Sequence, residues 1–166
     1  LNTHFNKKIS GKWSSSLFVH GNTRIAKNDM NNDGFLDNPL GKQINILNRW
    51  QYTNAQKGWV SFVNFRYMND KKQTGQLGFV PNRDRLTTNF WGSEINTERV
   101  DVSTKVGYVF PEMPFQSIGF QNAYNSHNQE SYFGLNQYNI KQKSYYSNLI
   151  FNSIIENTMN KFSTGF

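Results

Sequence analysis

RVDVSTKVGYVF, residues 99–110, sets Val100, Val102, Thr104, Val106, Tyr108 and Phe110 against Arg99, Asp101, Ser103, Lys105 and Gly107. A strand sends successive side chains to opposite faces, so strict alternation predicts a strand with one apolar and one polar face. The same period recurs on both sides of this run. Ile44, Ile46, Asn48, Trp50 and Tyr52 alternate with Gln43, Asn45, Arg49 and Gln51; Trp59, Val63, Phe65 and Tyr67 alternate with Asn64 and Arg66. These patterns predict strands over Gln43–Thr53, Trp59–Met68 and Thr97–Phe110. Weaker alternation predicts strands over Lys12–Ile25, Phe115–Asn125 and Tyr138–Asn152, with a seventh starting near Asn160.

Composition agrees. Among 166 residues 36% are hydrophobic, but 16% are aromatic, so Phe, Tyr and Trp make up almost half of the apolar content. Ala occurs only at Ala26, Ala55 and Ala123. Scarce Ala and abundant Asn disfavour helices, whereas aromatic and β-branched residues favour strands. There is no Cys, which excludes disulfides and thiolate metal sites. No run approaches the ~18 apolar residues of a membrane helix. A barrel strand shows lipid only alternate residues, so low mean hydropathy does not speak against a membrane barrel. The formal charge of +7 comes from Lys and Arg scattered singly, without the basic stripe that nucleic-acid binding needs.

The connections alternate in length. Short ones are expected at Asn54–Gly58, Pro111–Pro114 and Glu156–Asn160, and long polar ones at Lys27–Lys42, Asn69–Asn96 and Ser126–Gln137. Outer-membrane barrels have tight periplasmic turns and long external loops in this order. Aromatic residues flank the short turns: Trp50, Tyr52 and Trp59 at the first, Tyr108, Phe110 and Phe115 at the second, Phe162 and Phe166 after the third. Amphipathic rings settle at the headgroup level, so this is the placement of an interfacial girdle. The expectation is an all-β, transmembrane, antiparallel up-and-down barrel. The chain opens on Leu1 and its last residues read as a strand just begun, so both ends are expected to be cut from something longer. Seven strands are an odd set, so residues 1–166 are expected to be one partial barrel domain whose remaining strands lie elsewhere.

One loop motif could carry chemistry. In DMNNDGFLD, residues 29–37, oxygen-bearing side chains stand at Asp29, Asn31, Asp33 and Asp37, with Gly34 at position six. This is the first part of an EF-hand-type calcium loop, with the carbonyl of Phe35 as the position-seven ligand. Position twelve is Leu40, so the bidentate carboxylate is missing. The pattern equally fits an Asx-rich turn without metal. His4, His20 and His127 lie far apart and receive no role. Asp84 and Glu94 share a long loop but do not form a catalytic pair; that loop is expected to line a ligand mouth. No nucleophile elbow, phosphate loop or HExxH motif occurs, so no enzyme is expected.

The run DMNNDGFLDNPLGKQINILNRWQY (29–52), Gly75-Gln76, and the run from Val109 to Ser153 with its FG-x-x-x-Y element resemble the barrel region of TonB-dependent outer-membrane receptors of the Bacteroidota type. The similarity covers the chain from about Trp13 onward. It implies a 22-stranded barrel in a Gram-negative outer membrane, filled by an N-terminal plug that is not in this chain. It also implies import of a scarce bulky ligand such as a siderophore or cobalamin, energised by TonB acting through the plug. Partners would be outer-membrane lipid and a surface lipoprotein or other outer-membrane subunits, and no nucleic acid. Two alternatives stay open: a passive porin or scaffold barrel subunit, and a soluble carbohydrate-binding β-sandwich.

Overall fold

The computed structural model describes every residue, Leu1–Phe166. It contains one sheet of eight strands: β1 (Asn2–Lys8), β2 (Trp13–Arg24), β3 (Leu40–Asn54), β4 (Trp59–Gly75), β5 (Gly92–Val109), β6 (Ser117–Phe133), β7 (Asn136–Ile155) and β8 (Asn157–Gly165). Each strand pairs antiparallel with the next in sequence order, and β1 does not pair with β8. The chain is therefore an open up-and-down meander. A two-layer sandwich is not formed. The only helical pieces are a 3-10 turn at Ala55–Lys57 and α1 (Pro81–Asp84), and no helix is long and apolar enough to cross a membrane.

The count corrects the expected seven strands. Asn2–Lys8 forms a first strand that pairs with Ser14–His20 across the Ile9–Lys12 turn. Its residues, NTHFNKK, are polar at most positions and gave no alternation to read. The last strand begins at Asn157 rather than near Asn160, because Glu156 makes the turn alone, with φ of 64°. The argument from an odd strand number therefore falls away, although the sheet is open.

Two of the three long connections are shorter than expected, and the third does not exist. The β2–β3 loop is 25–39 and the β4–β5 loop is 76–91. Instead of a loop over Ser126–Gln137, β6 and β7 run on to a two-residue turn at Gly134-Leu135. Gly134 has φ of 58°, and Trp91 packs where its side chain would be. At this end of the sheet polar residues occupy both faces, so the ladder continues where alternation has stopped. The short turns, at 9–12, 55–58, 110–116 and Glu156, all fall at the opposite end.

Register fixes the faces. The rows Ile46–Tyr67–Val100 and Trp50–Val63–Thr104 run straight across β3, β4 and β5, and the row Phe65–Val102–Tyr124–Tyr145 crosses β4 to β7. Ile44, Ile46, Trp50, Val100, Val102, Val106 and Tyr108 thus share one face; Asn45, Arg49, Asp101, Ser103 and Lys105 share the other. Neither face is covered. Trp50, Val63, Phe65 and Phe120 are all exposed, and the only buried apolar side chains are Leu36 and Phe79 of the two long loops and Tyr132 of β6.

Candidate functional site

The polar face is a cationic wall. It carries Lys8, Arg24, Arg49, Arg66, Lys72, Arg99 and Lys105 against Asp70 and Asp101. Both acids are engaged: Arg99 grips Asp101 with three bonds of 2.9–3.1 Å, Asn125 donates to the same carboxylate, and Lys72 lies 3.0 Å from Asp70. Arg66 donates to Asn45 at 3.0 Å, and Arg49 stacks over the Phe62 ring at 4.4 Å. Both keep positive charge without a carboxylate partner. A wall of this kind attracts anionic groups and repels cations.

All three histidines also lie on this wall. His4 stacks on Phe18, and His20 sits between the side-chain oxygens of Asn2 and Gln43, 3.2 Å from the latter. His127 lies opposite Arg99. Sequence spacing hid this grouping. The parity of each strand could have shown the face, but only after register was known.

A cap closes the long-loop end. Leu36 donates to the Gly75 carbonyl at 2.9 Å and Leu77 to Gly34 at 2.8 Å, so the two loops are stitched together beside the Phe35–Gln76 bridge. Lys27 adds a bond to the Leu77 carbonyl. Phe79 lies on Gly92, where a Cβ would meet the ring at 2.4 Å, and faces Tyr132 with ring centroids 6.4 Å apart. The Tyr132 hydroxyl donates to Glu94 at 2.6 Å, and Arg85 sits over its ring. Glu94 belongs to β5 and Asp84 to α1, so the two acids are not paired.

Asp84 is 1% exposed and holds α1 closed. It accepts from the Val80 amide at 2.8 Å and from Arg83 at 2.8 Å through both oxygens. The Arg83 hydrogen bond holds its carboxyl below the ordinary carboxylate range, against the effect of burial and with help from the Val80 amide. Arg83 is pushed up in turn by the same hydrogen bond. Pro81 in the first turn of α1 marks this short helix, but nothing in the sequence announced the Asp84 clamp.

In the Asp29–Asp37 loop, side-chain oxygens accept backbone amides. Asp29 takes those of Asp33 (3.1 Å) and Gly34 (3.0 Å), Asn31 that of Asp33 (3.3 Å), Asp33 that of Phe35 (2.8 Å), and Asp37 that of Met30 (2.7 Å). Gly34 (φ 82°) and Asn32 (φ 58°) make the reversal. These are Asx-turn bonds. No group of three or more acidic or histidine side chains is placed to hold a metal ion.

The chain matches no protein-family profile, no curated protein and no solved structure.

Proposed function

We propose that this sheet is wall from an outer-membrane β-barrel receptor that imports a bulky ligand. One observation carries the reading. On the apolar face of β2–β7, from the short-turn end up to Gly21, Ile44, Tyr67, Val100, Tyr124 and Tyr145, there is no Asp, Glu, Lys, Arg or His. Directly behind it the polar face carries Arg49, Arg66, Arg99, Asp101 and Lys105. Lys7 of β1, opposite Ser15, is the one charge on this face at that height, and a sheet in water has no reason to clear the other six strands. In lipid, a charge at the midplane costs about 2–4 kcal/mol.

Three of the polar side chains left on the apolar face are bonded within it. Asn48 donates to Ser15 and to the Ser16 carbonyl and accepts Trp50 Nε1 at 2.6 Å; Asn122 accepts the Tyr145 hydroxyl at 2.7 Å. Lipid offers no partners, so such internal pairing is what the setting demands. From Tyr108 to Val100 is about 27 Å along a strand, or about 21 Å after a barrel tilt, close to the ~25 Å apolar band of outer-membrane barrels. Trp13–Tyr52 and Trp59–Tyr108 pair at the short-turn border, with centroids 5.0 and 4.8 Å apart.

The polar wall then faces the lumen, and the stitched loops lie at the external mouth. The plug, TonB coupling, a siderophore- or cobalamin-like cargo and lipoprotein or other subunit partners follow from the motif resemblance. The test is ligand uptake by cells that produce the parent protein. Uptake that collapses when the proton gradient is dissipated supports energised import; uptake that persists down a concentration gradient makes the barrel a passive porin.

A further inference from the structure

Just above the charge-free face, Lys42 of β3 and Lys71 of β4 stand directly opposite each other on the same face. Like charges in a direct cross-strand pair oppose one another. Neither lysine forms an ion pair with a carboxylate. The acids nearest on this face are held by tyrosines: Glu98 accepts the Tyr67 hydroxyl at 3.1 Å and Glu94 that of Tyr132 at 2.6 Å. Both lysines line a groove of about 310 Å³ together with Glu94 and, from the edge of the polar face, Arg24 and Lys72. Lys72 is bonded to Asp70, and against the single carboxylate of Glu94 the groove keeps an excess of positive charge.

The height of the pair identifies the anion. Lys42 is two residues above Ile44, a rise of about 7 Å, and two residues below Leu40 on the same face. That is the headgroup level of the leaflet at the long-loop side, with the lysines turned toward lipid rather than toward the lumen. We propose that Lys42 and Lys71 form a binding site for the phosphate of a lipid headgroup, which would relieve their repulsion. The site rests on the membrane reading above.

The test uses the parent barrel that contains this sheet, in detergent micelles, and three probes: a bisphosphorylated glycolipid, the same lipid dephosphorylated, and inorganic phosphate. Two lysines at a membrane surface should favour the phosphorylated lipid by about tenfold or more. That preference should vanish in Lys42→Gln/Lys71→Gln and persist in Lys42→Arg/Lys71→Arg. Equal binding of the two lipids, or a preference unchanged in the glutamine variant, overturns the site. Full competition by millimolar inorganic phosphate overturns its assignment to lipid. In parallel, brominated-lipid quenching of Trp50 reports the membrane reading itself. Quenching without phosphate preference sinks only the lysine site, whereas loss of quenching sinks both.

Discussion

Val102 and Ser103 are adjacent, yet they meet opposite demands. Val102 lies between Phe65 and Tyr124 on the charge-free face, and Ser103 accepts Asn64 Nδ2 at 3.1 Å on the cationic wall. With lipid over this face, as proposed, arginine at 102 would place a guanidinium in it at a cost of about 2–4 kcal/mol, and the strand cannot slip by one residue without turning every side chain over. Arginine at 103 would join a polar surface and lose one neutral hydrogen bond, about 1 kcal/mol. Val102→Arg should therefore abolish the folded, heat-modifiable band on a gel, while Ser103→Arg should leave most of it. Equal effects would count against the assignment of faces. This distinction was legible in the sequence, because parity along one strand suffices to separate the two residues. The partners were not legible: that Asp101 meets Arg99 and Asn125, or that His4 stacks on Phe18, depends on register between strands.

Elements were read correctly where one face is apolar and the other polar, and missed where the two faces do not differ. β3 and β5 stood out because one face is apolar and the other charged. The outer halves of β6 and β7 did not, because Glu130, Asn128 and Lys141 lie on one face and Gln129, Gln142 and Ser131 on the other. With no contrast between faces, a ladder reads as a loop. β1 was lost for the same reason. The α1 segment depends on a single buried acid, which sets a pH signature for the cap. The folded Asp84 carboxyl lies below its unfolded value of ~3.9, so its stabilisation is complete above that value and is lost as pH falls through the folded one. The protection of the Val80 amide against hydrogen exchange, relative to its intrinsic rate, should thus fall only below about pH 4. Asp84→Asn, which keeps one acceptor but loses the charge held by Arg83, should exchange faster at neutral pH and show no acid step. An acid step of unchanged size in that variant would show that Asp84 does not close the loop.

The whole sheet has almost no interior of its own, so its stability must come from what covers its faces. The four tryptophans report on that cover. Trp13, Trp50 and Trp59 lie on the charge-free face; Trp91 lies in the cap, packed on Phe35 and Gly134. In the bare sheet their exposures are alike, 41–46%. Lipid would separate them. Trp13, Trp50 and Trp59 should be quenched by bromines on lipid chains and shielded from iodide in water, and Trp91 should behave in the opposite way. Register sets an order among the first three. Trp50 pairs with Val63; Trp13, beside Tyr52, is two residues nearer the short turns, and Trp59 is four residues nearer. At about 3.3 Å per residue, Trp50 lies deepest and Trp59 at the border. Bromines far down the acyl chain should favour Trp50, and bromines near the headgroup should favour Trp59. Single-tryptophan variants in liposomes read this directly, and Trp91→Phe should remove the iodide-accessible fraction while leaving lipid quenching intact. Iodide reaching all four tryptophans alike would mean that water covers the charge-free face, and the membrane reading would fall with it.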